Sequence, residues 1–162
     1  MNLNKSIFVV LIIGLLAYVL EFRPELLQNL YAKFKQETGQ ITGQTQSSQA
    51  SRDLELIRKA YQEQRGDLQV QAGGQVVSIL PDDNQGSRHQ RFILKLDNSL
   101  TVLVAHNIDL APRIHSIQQG DWVDFYGVYE YNVKGGVIHW THHDPKNRHI
   151  GGWLKHQGQT YE

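Results

Sequence analysis

Near the C-terminus, residues 138–153 hold four histidines (His139, His142, His143 and His149), together with Asp144, Arg148 and two tryptophans. Imidazole titrates near neutrality, donates and accepts hydrogen bonds, and ligates divalent metals. No other window of the chain is as dense in such side chains. His106, Asn107 and Asp109 make a second group, and Arg88 with His89 a third. Two chemistries suit these residue types. A divalent metal such as zinc takes His and carboxylate ligands, with one position left open for catalysis. The candidate ligands are His106, Asp109, His142 and His143, with Asp144 or His149. A metal-free site would use a histidine beside Asp109 or Asp144 as general base. Arg88, Arg113 or Arg148 would then stabilise an anionic transition state, as in phosphodiester hydrolysis. The catalytic candidates are therefore His106, Asp109, His142 and Arg88, and the binding candidates His89, Asn107, His139 and Arg148. There is no His-Glu-x-x-His, nor another spacing tied to a zinc class. The plainer alternative is that these histidines bond backbone carbonyls and orient loops.

Composition narrows the choice. Formal net charge is zero, so no global field draws a polyanion to the chain. All eight histidines fall between His89 and His156, and their protonation would turn that half positive. No cysteine is present, which removes disulfides, thiolate metal sites and cysteine nucleophiles. The turn Asp82-Asp83-Asn84-Gln85-Gly86 lacks the alternating ligands and closing Glu of a calcium loop. Tyr126, Tyr129, Tyr131 and Trp140 offer stacking surfaces for bases. Strand two shows no outward aromatic, so a place in the core suits them better. An oligonucleotide partner is not indicated by charge.

The elements that must position these residues begin with an uncharged run over residues 7–20, preceded by Lys5 and followed by Glu21, Arg23 and Glu25. Extended to residues 6–22, it reaches the lower limit of a membrane span. Ala17-Tyr18-Val19 is a poor cleavage site. The expectation is an uncleaved single-pass anchor with its N-terminus cytoplasmic and the rest of the chain outside the cytoplasm. Secretion after signal cleavage is the alternative. Leu26, Leu27, Leu30, Tyr31 and Phe34 recur at helical spacing after Pro24, as an extension lying on the membrane or a helix packed on the domain or a second copy. The anchor and this extension make up residues 1–36. Residues 37–52, rich in Gln, Ser, Thr and Gly, predict a flexible linker. Residues 53–65 predict a short amphipathic helix with Asp53 as N-cap and Gly66 as its stop.

From Leu68 the hydrophobic period shortens to two. Strands are predicted at about 70–80, 89–96, 100–106, 122–131 and 137–142, with a bend at Gly73-Gly74 and a turn or short helix over 107–119. Gly151 and Gly152 should return Trp153 and Leu154 to the domain, with Thr160 and Tyr161 in a final short strand. The fold class is mainly β, a small five-stranded OB-like barrel over residues 53–162 that includes the preceding helix. An SH3-like barrel or small open sheet is the alternative. In the OB order strand five lies parallel to strand three. The start of strand two and the ends of strands three and five then share one pole. Alternation along strand five puts His139, Thr141 and His143 on one face and Ile138, Trp140 and His142 on the other.

The runs Arg88-His89-Gln90-Arg91-Phe92, His106-Asn107-Ile108-Asp109-Leu110-Ala111-Pro112-Arg113, Gly135-Gly136-Val137-Ile138-His139-Trp140-Thr141-His142-His143-Asp144-Pro145 and Gly151-Gly152-Trp153-Leu154 resemble a bacterial family, the domain-of-unknown-function family 3465. The resemblance covers about residues 54–162. It implies a small bacterial protein, commonly with an N-terminal signal or anchor, and its signature includes the histidine runs. The family carries no assigned activity, so no catalytic role is transferred. Three functions follow as expectations. The first is a membrane-tethered module whose histidine pole binds a small ligand or metal. The second is a small hydrolase, nuclease or phosphodiesterase-like, using the same cluster. The third is a structural envelope protein.

Overall fold

In a computed structural model of the chain, residues 23–97 and 99–162 are described, residues 40–47 by their backbone alone. The expected anchor at residues 6–22 lies outside the described residues. Among those described, no helix is long and apolar enough to cross a membrane. The chain divides into two units, Met1–Gln46 and Ser47–Glu162.

Helix α1 runs unbroken over Pro24–Gln62, and so replaces both the expected linker at 37–52 and the expected separate short helix. The physical reason is cooperativity. Extending an existing helix adds one hydrogen bond per residue fixed, whereas starting a new one is unfavourable. Good helical sequence flanks the polar stretch on both sides, and a polar stretch needs no burial to remain helical. Thr38 Oγ1 donates to the carbonyls of Phe34 and Lys35 at 2.9 and 3.1 Å, keeping its hydroxyl within the helix. Leu26, Leu30, Tyr31 and Phe34 are exposed.

Within the second unit, the end of α1 supplies Ile57 and Ala60 to the core, both fully buried. Asp53 is not an N-cap, since it lies inside the helix. Its carboxylate accepts the Gln71 amide at 2.7 Å and Gln49 Nε2 at 2.8 Å, which ties the helix to the first strand.

Seven strands follow: β1 Leu68–Asp83, β2 His89–Leu96, β3 Thr101–Asn107, β4 Trp122–Glu130, β5 Val137–His139, β6 Trp153–His156 and β7 Gln159–Tyr161. No helix forms between β3 and β4. Five strands close a ring in the order β1-β2-β3-β5-β4, with β4 returning to pair with β1. β3 and β5 are parallel and the other ring pairs antiparallel. β1 serves two neighbours because it is long and bent. Its first half pairs with β4, its second with β2, and irregularities fall at Val76/Ser78 and Leu80/Asp83. β6 and β7 extend the sheet beyond β4.

The alternation read from the sequence sets the inside of the ring. Phe92, Leu94 and Leu96 of β2, Val102 and Val104 of β3, Val123 and Phe125 of β4 and Ile138 of β5 are all buried. Gln90 is buried among them. Its Nε2 donates to the Ile114 carbonyl and its Oε1 accepts the Ile114 amide, both at 2.9 Å. That pair of bonds holds the β3–β4 connection against β2.

Candidate functional site

The β2–β3 ladder ends with His89 opposite Asn107. Beyond it, Asp109 accepts the Arg88 backbone amide at 2.8 Å and Arg88 Nε at 2.7 Å. Both carboxylate oxygens are thereby engaged, and these bonds, the backbone amide first, hold the Asp109 carboxyl below its ordinary range. The pair is well exposed, so it acts as a clasp on the strand ends and contributes little to stability. Arg113 pairs with Asp82 through one partly buried guanidinium–carboxylate contact.

His106 is fully buried. Its Nε2 lies 3.1 Å from the Pro112 carbonyl and its Nδ1 2.9 Å from Thr141 Oγ1. A carbonyl can only accept, so Nε2 carries the proton and the Thr141 hydroxyl donates to Nδ1. Burial pushes the ring down to about 4, although the Pro112 carbonyl favours the charged form. His106 is thus a neutral structural histidine. Neither nitrogen is left for a metal or a substrate.

β5 is shorter than the alternation predicted and ends at His139. Trp140 takes φ of +52°, a conformation rare for a bulky residue. The reversal breaks the two-face pattern: Thr141 and His142 are both buried, whereas His143 is exposed. It is what turns Thr141 toward His106. Gly127 of β4 permits the approach, since a Cβ there would stand 2.5 Å from the His139 carbonyl oxygen.

The loop after Trp140 is organised by Asp144. This buried carboxylate accepts the amides of Lys146, Arg148 and His149 at 2.9, 2.5 and 3.2 Å. These bonds, the Lys146 amide foremost, pull its carboxyl down to about 2 despite burial. The His149 ring packs on Trp140 with centroids 3.8 Å apart and approaches His142 edge-on at 5.9 Å. Its Nδ1 bonds the Ile150 carbonyl at 2.9 Å. Its Nε2 lies 3.5 Å from Asp144 and makes no hydrogen bond. His142 donates from Nδ1 to the His143 carbonyl at 2.7 Å, which leaves its Nε2 as the nitrogen that could meet a ligand.

Three strand ends therefore meet. His89, Asn107, His139, Trp140 and His142, with Ser87 and Ala105, line a cleft of about 200 Å³. His139 Nε2 is buried without a hydrogen-bond partner. Burial, opposed by Glu130, lowers its pKa. A buried polar atom left unpaired is uncommon, and of the four such side-chain atoms among the described residues, His139 Nε2 is the one that belongs to a residue lining this cleft. His106, Asp109 and Asp144, by contrast, stand around the cleft as its supports, and Arg148 meets Asp144 only through its backbone amide. Among the described residues, no group of three or more His, Asp or Glu is placed to hold a metal ion. The ligand set expected from sequence is dispersed because its carboxylates face backbone amides and Arg88.

Sequence reasoning missed Thr141, whose position depends on the Trp140 reversal, and the pair His156–Asp121. The latter joins at 2.8 Å at another end of the ring, across a separation that leaves no local signal.

A family model for a protein of unknown function, DUF3465, matches residues 39–162. No curated protein matches the chain.

Proposed function

The chain belongs to the DUF3465 family, and from that membership and its histidine cleft we propose a ligand-binding module, tethered to a membrane and held outside the cytoplasm. The tether is residues 6–22, read from their apolar run and the preceding Lys5. The module is an OB-like barrel, a reading supported by the five-strand ring and its parallel β3–β5 pair.

The single observation that carries the binding role is the unpartnered His139 Nε2 in a cleft shared with His89, Asn107 and His142. His106, Asp109 and Asp144, which support the cleft, are bonded within the chain, while His139 Nε2 in its lining is not. That division suits recognition of a small polar ligand better than hydrolysis. The hydrolase alternative places a histidine base beside Asp109 or Asp144, and these carboxylates are committed to Arg88 and to backbone amides.

The test is imidazole nitrogen NMR on the full-length chain without a histidine tag, titrated separately with inorganic phosphate, acetate and acetamide. At least one probe is expected to shift His139 and His142 together and saturably, and Asn107→Ala to weaken the response. If none moves these rings at millimolar concentration, the proposal fails. Stoichiometric bound metal that disappears in His142→Ala would replace it with a metal site.

A further inference from the structure

Trp122 opens β4 and is 49 % exposed, yet its ring is fixed. The indole Nε1–H donates to Asp124 Oδ1 at 2.7 Å. Gly73 of β1 lies against this pair: a Cβ there would stand 2.5 Å from Asp124 Oδ1 and 2.8 Å from Trp122 Nε1. The glycine lets the indole lie close over β1.

Two clefts meet at this ring. One, of about 440 Å³, includes Gln75, Lys95 and Asp97. The other, of about 300 Å³, includes Asp121, Lys155 and Gln157. Asp121 is itself held in place, its Oδ2 accepting His156 Nε2 and the Gln118 amide, each at 2.8 Å. The His156 ring is buried, and its Nδ1 has no hydrogen-bond partner. None of these groups belongs to the histidine cleft.

We propose that Trp122 and its two flanking clefts bind a neutral oligosaccharide. A fixed, exposed indole presents an apolar face to the C–H face of a sugar ring. Amide and carboxylate side chains on both sides match ring hydroxyls, which donate and accept. Two clefts sharing one aromatic wall accommodate consecutive sugar units. Local charge selects against the other ligand that stacks on tryptophan. Asp97, Asp121 and Asp124 outnumber Lys95 and Lys155, whereas a single-stranded nucleic acid requires a basic groove.

The test is calorimetric titration of the full-length protein with the tetrasaccharides of N-acetylglucosamine and of glucose, and with oligothymidylate. Saturable binding of at least one tetrasaccharide is expected, with an affinity independent of salt. Trp122→Ala should weaken it roughly tenfold or more, equivalent to about 1.4 kcal/mol. Trp122→Phe should restore most of it, and Val133→Ser, exposed elsewhere, should leave it unchanged. Gln75→Ala retains the indole and should weaken binding by a smaller factor, which keeps the proposal testable if Trp122→Ala misfolds. Absence of binding by both tetrasaccharides would overturn the proposal, as would binding indifferent to both Trp122→Ala and Gln75→Ala. Preferential, salt-sensitive binding of oligothymidylate would reassign the surface to nucleic acid.

Discussion

At the residue scale, His106 shows how a chemically capable side chain becomes structural. Its two nitrogens join the β3–β4 connection at Pro112 to the segment after β5 at Thr141. His106→Ala removes both bonds and leaves a buried carbonyl unpaired, which should cost about 2–4 kcal/mol in denaturant unfolding. The titration has a definite sign. The folded pKa, about 4, lies below the ordinary histidine value of 6.5, so below pH 6.5 the unfolded chain takes up the proton more readily. The neutral ring's contribution is complete above pH 6.5 and declines as pH falls toward 4. The acid-induced loss of stability over that window should be smaller in His106→Gln than in the wild-type chain. Asp144 behaves in the opposite chemical sense with the same outcome. Its depressed pKa contributes stability present above the ordinary Asp value of 3.8, and this is lost as pH falls toward 2. Asp144→Ala should release the amides of Lys146, Arg148 and His149 to rapid hydrogen exchange while the ring of strands stays folded. Retained protection of those amides would show that something else orders the loop.

At the element scale, α1 carries two predictions. A flexible linker at 37–52 would tolerate proline without loss of helix signal. The continuous helix predicts that Thr38→Pro lowers far-UV ellipticity, because the ring removes a hydrogen bond and clashes with the preceding turn at a cost of about 3 kcal/mol. The end of the same helix belongs to the core. Ile57 is fully buried, and Ile57→Ala should lower the unfolding free energy by about 2–5 kcal/mol. A loss near zero would mean that the strands close without the helix. The strands themselves were legible to within a few residues wherever alternation was clean, as in β2 and β4. The final short strand at Thr160 and Tyr161 was also legible, as β7. Legibility failed where a single dihedral reversed the pattern, as at Trp140, and for β6, which is too short to display alternation.

At the scale of the whole molecule, a reporter fused after Gln40 should be active only outside the cytoplasm if residues 6–22 anchor the chain in the proposed direction. Activity confined to the cytoplasm would reverse the topology. The ring also explains why the histidine pole exists. Parallel pairing of β3 with β5 brings the ends of both strands to one side, and the antiparallel β2 starts there. That is why His89, Asn107 and His139 share a cleft although no two of them are close in sequence.

The sequence by itself determined the family, the mainly β class, the in-and-out order of the core and the neighbourhood where histidines gather. These follow from local periodicity and residue type, which a linear chain displays openly. Only the tertiary structure decided what each histidine does. An imidazole becomes a support or a lining group according to which carbonyl, hydroxyl or carboxylate lies about 3 Å from it. Those partners come from strands distant in sequence and from one reversed dihedral. Pro112 and Thr141 occupied His106, Arg88 and backbone amides occupied the carboxylates, and His139 was left with a nitrogen to offer.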